Sequence, residues 1–149
     1  MARLATDRWV DHEKAEAILV LDRPLTDDEV EQVLRDWNPA ARHNVGVNGV
    51  FFTPMSLAHD IASLVTMGGQ AGRYIDLCAG TGRLTWWLRF MNLYDSPEEK
   101  AKTSYTCVEL NPEFVEVGRR LMPWANWICG SVFDRDLMES LGVFDVGVS

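Results

Sequence analysis

At 149 residues, with 47% apolar side chains including six Trp and six Phe, the chain is long enough for one domain with a real core. A net charge of −8 argues against a surface that grips nucleic acid by itself, since phosphate binding needs clustered Lys and Arg. No apolar run nears the ~20 residues that span a bilayer, and the opening MARLATDRWVDHEK lacks the apolar centre of a signal peptide. Three scattered cysteines, Cys78, Cys107 and Cys129, are expected as reduced core thiols of a cytoplasmic protein, with no paired ligands for a metal.

Residues 1–48 read as a helical region that packs on the main domain. Helix formers run from Lys14 to Leu21. Thr26 is an N-cap, and Glu29 three positions on completes a capping box. Asp27, Asp28 and Glu29 favour the positive end of the helix dipole. Val30, Val33, Leu34 and Trp37 form a stripe at helical spacing, and Asn38-Pro39 ends it. Residues 40–49, with Gly46 and Gly49, read as a loop.

Residues 49–149 alternate strands and helices. A helix follows Pro54, with Leu57, Ile61, Leu64 and Val65 as its apolar face and Gly68-Gly69 as its stop. Strand Tyr74–Cys78 leads to helix Gly82–Leu93 and a polar connection over 94–104. Strand Tyr105–Leu110, helix Pro112–Leu121, strand Asn126–Cys129, helix Asp136–Leu141 and strand Val143–Val148 follow. This alternation predicts an α/β fold, with a Rossmann-like parallel sheet covered on both faces. Trp86, Trp87, Trp124 and Trp127 read as packing residues. His12, His43 and His59 form no constellation, and His59 reads as a partly exposed polar position.

Residues 73–84, RYIDLCAGTGRL, place an acid and two glycines right after a buried strand. Glycines there permit a tight turn and let a ligand meet bare backbone beyond the strand ends. The dinucleotide pattern needs a third glycine where Thr85 stands, and no Gly-Lys-Ser/Thr follows for a phosphate loop. Asp76 suits a cationic ligand. In YTCVELNPEF, Glu109 closes the second strand, where a carboxylate can accept two hydrogen bonds from a ribose diol. It stands 27 residues beyond Gly82 against the usual ~20, an excess that fits the polar insert 94–104.

DLCAGTGRL followed by VELNP resembles the S-adenosylmethionine-binding half of class I methyltransferases. FFTP, Phe51 to Pro54, is similar to the box upstream of the Gly loop in adenine-specific DNA methylases, those whose cofactor region precedes the catalytic one. The resemblance covers roughly residues 50–149. It implies S-adenosyl-L-methionine as cofactor, bordered by Phe52, Thr53 and Pro54. Asp76 and the loop of Cys78, Ala79, Gly80 and Gly82 would take the methionine portion, and Glu109, with Leu110 beside it, the ribose. Two departures stand out. Where the family has Gly-Asp after the third strand, Gly130-Ser131-Val132-Phe133-Asp134 leaves Ser131 or Asp134 for the adenine amino group and Phe133 for its ring. The Asn-Pro-Pro-aromatic motif expected after the fourth strand does not follow FDVGVS, so this portion is expected to end before the catalytic residues. By the resemblance, DNA would be met through a later region, with no metal and no membrane. An open sheet edge predicts self-association. Two alternatives stand beside the DNA reading: a class I methyltransferase acting on an amine of RNA or protein, and an inactive relative serving as a binding or assembly module.

Overall fold

Thr26 shows how locally the first helices are set. In the computed structural model, which describes residues 2–39, 52–66, 71–92 and 96–149, its hydroxyl accepts the Glu29 N–H. The Glu29 carboxylate returns a bond to the Thr26 N–H at 2.9 Å, completing the capping box. Arg23 grips the same carboxylate with two bonds of 2.8 and 2.6 Å. That hydrogen bonding holds the Glu29 carboxyl down at about 2.

The first unit, Met1–Phe52, holds α1 (Ala2–Leu19) and α2 (Asp27–Asp36), packed together. α1 starts well before Lys14, because residues 2–13 contain no Gly or Pro to interrupt it. The stripe Val30, Val33, Leu34 and Trp37 is buried. His12, also buried, accepts the Asn38 N–H at Nδ1, and its ring meets that of Trp37. The loop expected over 40–49 lies outside the described residues, as does Phe51.

The second unit, Thr53–Ser149, holds α3 (Met55–Val65), β1 (Arg73–Leu77), α4 (Arg83–Met91), α5 (Pro97–Lys102), β2 (Ser104–Glu109), α6 (Pro112–Leu121), β3 (Asn126–Cys129), α7 (Arg135–Leu141) and β4 (Val146–Val148). The four strands form one parallel sheet in the order β3-β2-β1-β4. The chain winds outward from β1 to β3 and then returns to the far side of β1. Crossovers of the usual right hand would put α4 and α6 on one face of this sheet and α7 on the other. The reversal at β1 is the switch point beyond whose strand ends ligands of such sheets bind.

Tyr74 and Tyr105 are register partners on β1 and β2, stacked with centroids 5.3 Å apart. Leu84, Leu88 and the two alanines of α3, Ala58 and Ala62, close over them. Here the structure corrects the expected face of α3. Leu57, Leu64 and Val65 are exposed, Leu64 at 71%, because α3 approaches α4 along its small residues. The stop at Gly68-Gly69 lies outside the described residues. Part of the polar connection over 94–104 forms α5. β4 is shorter than expected, beginning at Val146. Before it, Arg73 donates to the Val143 and Leu141 carbonyls and lies over the Phe144 ring, which draws that stretch off the sheet. Trp86 is buried, Trp87 packs edge-on against half-exposed His59, and Trp127 lies beneath α6.

Candidate functional site

β1 ends on Asp76-Leu77, and the turn that follows adopts backbone shapes that L side chains avoid. Cys78 has φ +60°, Gly80 +57° and Gly82 +93°. Only glycine reaches these angles without strain, so Cys78 carries a cost of roughly 1–2 kcal/mol. Ala79 N–H donates to the Val108 carbonyl of β2, and Gly82 N–H donates to the Ala79 carbonyl, which closes the turn before α4. Gly82 serves packing as well as the turn, since a Cβ there would overlap Met122 Cε.

Glu109, at the tip of β2, reaches back to this turn. Its Oε2 accepts the Gly80 N–H and its Oε1 the Asn111 N–H, both at 2.8 Å. The side chain is half-buried. Two of roughly four lone-pair positions are thereby used, and two remain for other donors. Asn111 in turn caps α6 by accepting the Glu113 N–H, ahead of Pro112.

Asp76 is 2% exposed. Thr85, one turn into α4, donates to its Oδ2 at 2.7 Å, while Oδ1 is buried with no hydrogen-bond partner among the described residues. Burial pushes the carboxyl up to about 7, with the Glu109 charge adding to the effect and the Thr85 bonds opposing it. Asp76 and Glu109 therefore share one end of adjacent parallel strands, with the Gly80 turn bonded to Glu109.

The remaining candidates fall in three groups. Thr53 joins the turn indirectly: its carbonyl accepts from Arg83, the first residue of α4, at 3.0 Å. Pro54 opens α3. Phe52 belongs to the first unit, where its ring meets Trp37 edge-on with centroids 6.3 Å apart. At the tip of β3, Ser131 Oγ accepts the Phe133 N–H, and the Phe133 ring is 93% exposed. Asp134 caps α7, accepting the Leu137 N–H. Leu110 is exposed, and so are Cys78 and Cys129, which corrects the expectation of three core thiols. Only Cys107 is buried, because it alone falls mid-strand, whereas the other two lie at strand ends.

Thr85, Arg83 and Asn111 were not among the residues singled out for the site. Thr85 left a signal, as the residue standing where a dinucleotide loop has its third glycine. No group of three or more metal-ligating side chains occurs among the described residues. No helix among them is long and apolar enough to cross a membrane.

No protein-family model and no curated protein matches the sequence. Solved structures do. A candidate protein-L-isoaspartate O-methyltransferase from Plasmodium falciparum, in complex with S-adenosyl-L-homocysteine, superposes with a TM-score of 0.52 at 15% identity, over 94% of this chain and 71% of that one. A candidate RNA methyltransferase from Pyrococcus horikoshii gives 0.45 at 20% identity, over 80% and 51%. The plantazolicin methyltransferase BpumL, also with S-adenosyl-L-homocysteine, gives 0.44 at 13% identity, over 98% and 48%. The chain spans about half the length of two of these proteins. The parallel sheet with flanking helices is thus the Rossmann-like α/β fold found among methyltransferases.

Proposed function

We propose that this chain binds S-adenosyl-L-methionine and forms the cofactor-holding part of a methyltransferase. The observation that carries the reading is the pairing of Asp76 and Glu109 across the Gly80 turn, with Asp76 Oδ1 buried and lacking a partner among the described residues. A folded chain gains nothing from such an atom, because an unpartnered buried acceptor costs about 1–3 kcal/mol. A ligand with positive charge in its amino-acid portion and a diol on its sugar fits both acids. Asp76 and the turn through Gly82 would hold the methionine portion, Glu109 would accept from the ribose hydroxyls, and Phe133 offers an apolar surface to the adenine ring. The cofactor supplies an electrophilic methyl group. What these residues contribute is orientation, which an in-line transfer demands.

For the acceptor, an amine or other nucleophile of RNA or protein stands ahead of adenine in DNA. The DNA reading rests on the Phe51–Pro54 segment, and two of those residues have local explanations: Phe52 meets Trp37, and Pro54 opens a helix. A relative of this fold is named for a protein acceptor. Label transfer from methyl-labelled cofactor to separate RNA, protein and DNA pools decides among them.

Calorimetry with S-adenosylhomocysteine tests the binding reading. Wild type is expected to bind, and Asp76→Ala to lower the affinity tenfold or more, about 1.4 kcal/mol. Absence of wild-type binding, or an unchanged constant in a folded Asp76→Ala variant, removes the assignment.

A further inference from the structure

Thr85 does more than interrupt a glycine pattern. Its Oγ1 donates to Asp76 Oδ2 at 2.7 Å and lies 3.3 Å from Cys107 Sγ. All three residues are buried, and Asp76 and Cys107 are register partners on β1 and β2. A hydroxyl has one proton to give. With that proton on Asp76, the Cys107 thiol donates back to Thr85, and Asp76 Oδ1 is left without a partner among the described residues. Among the described residues, the groups facing Asp76 are few. α4 brings Thr85, β2 brings Cys107 and the more distant Glu109 charge, and β4 sets only Val148 opposite it. No cationic side chain is among them.

Building on the methyltransferase reading above, we propose that Thr85 is a positioning residue for Asp76, and that the pair selects a ligand bearing an ammonium group and admits it as Asp76 gives up its proton. The step balances simply. A neutral Asp76 carboxyl and a ligand –NH3+ become a carboxylate–ammonium pair, and one proton passes to solvent. No covalent bond to carbon forms or breaks. The free carboxyl sits near 7 because burial disfavours its charge, and an arriving cation favours that charge. A pyrophosphate brings no cation to favour the charged carboxylate, so it gains no such pair at Asp76. A third glycine at this position would take away the hydroxyl that donates to Asp76 Oδ2.

The experiment compares two ligands on the full chain at pH 6, 7 and 8. S-adenosylhomocysteine carries the ammonium, and 5′-methylthioadenosine is the same nucleoside without the amino-acid portion. Calorimetry in buffers of different protonation enthalpy counts the protons released. S-adenosylhomocysteine is expected to bind about tenfold more weakly at pH 6 than at pH 8, releasing about half a proton at pH 7. Methylthioadenosine is expected to show neither effect. Thr85→Val removes the donor at nearly constant volume. It is expected to weaken S-adenosylhomocysteine binding about threefold or more and to move the pH midpoint upward, while Thr85→Ser restores both. Carbon-13 NMR of the Asp76 carboxyl in ligand-free protein follows the same proton directly. Its midpoint is expected near 7 in wild type and higher in Thr85→Val.

An Asp76 midpoint below pH 5 overturns the proposal, as does pH-independent binding of S-adenosylhomocysteine. So does a Thr85→Val variant with wild-type midpoint and affinity. Should Thr85→Val fail to fold, the wild-type proton count and carboxyl titration still decide. If neither ligand binds at any pH, the methyltransferase reading is what fails, and the ligand selection falls with it. The Thr85–Asp76 pairing is then settled separately by the carboxyl titration.

Discussion

Replacing Glu109 by Gln separates holding the turn from holding a sugar. In the folded chain the two carboxylate oxygens accept from Gly80 and Asn111, each at 2.8 Å. Hydrogen bonds to a charged group contribute about 1.5–3 kcal/mol each. Glutamine keeps one acceptor and turns an NH2 toward the other backbone N–H, donor against donor. One charge-assisted bond is lost and the other becomes neutral. Partial exposure lets water relieve some of the mismatch, so a net loss of about 2 kcal/mol is expected. Urea unfolding in the absence of any nucleoside reads this as a lower midpoint at constant slope. A Gln variant within about 0.5 kcal/mol of wild type refutes the reasoning, because surface acids away from such features behave that way. Glu109 would then be a bystander to the turn.

Two further outcomes follow from the same end of the sheet. The Asp76 carboxyl is raised from 3.8 to about 7 in the folded state, so the stability its proton provides is complete below pH 3.8 and is lost as pH rises through 7. Asp76→Asn cannot ionise. The stability difference should therefore move in the variant's favour by about 3 kcal/mol between pH 5 and pH 8, as read by chemical unfolding at both pH values, and an unchanged difference refutes the assigned proton. Gly82→Ala combines φ +93° with a Cβ that overlaps Met122 Cε. It should cost about 3 kcal/mol in unfolding free energy, and a wild-type midpoint would show that the turn relaxes freely.

Where the sequence was legible, one local rule dominated. Thr26 with Glu29 sets the start of α2, Asn111-Pro112 sets that of α6, and β3 spans Asn126–Cys129 as its apolar run demands. Asp76, Gly80 and Glu109 were readable because their spacing along the chain maps directly onto adjacent strand ends. The errors came where distant residues decide. Hydropathy marks Leu57 and Leu64 on α3, but the close approach to α4 buries Ala58 and Ala62 instead. Arg73 draws residues 141–144 off the sheet through carbonyls some seventy positions away, which no window of sequence contains. Asp134 reads as a candidate for the adenine amino group, yet its carboxylate caps α7, accepting the Leu137 N–H three residues on. Thr85 was noticed for what it fails to be, a glycine; what it does becomes visible only when α4 folds back over β1.

Local rules are otherwise well kept in this chain, and the exceptions cluster. A cysteine at φ +60° and an aspartate with a buried oxygen that has no partner among the described residues lie two residues apart. A third feature, two strand-end acids close enough for one charge to act on the other, completes the set. Each destabilises the empty fold by an amount on the order of 1–3 kcal/mol, and none is needed to make a strand–turn–helix. Packing can explain Gly82, whose Cβ would strike Met122, but packing places no demand on Asp76: an Asn or a small apolar residue there would fold at lower cost. Strain kept at one turn, next to a carboxylate with lone pairs to spare, is what a site looks like when its ligand returns what folding gave up. The end proposed for adenine shows no such accounting, since Phe133 lies exposed and Asp134 is engaged by its helix. Selectivity in this half-site is therefore expected to rest on the charge and the sugar more than on the base.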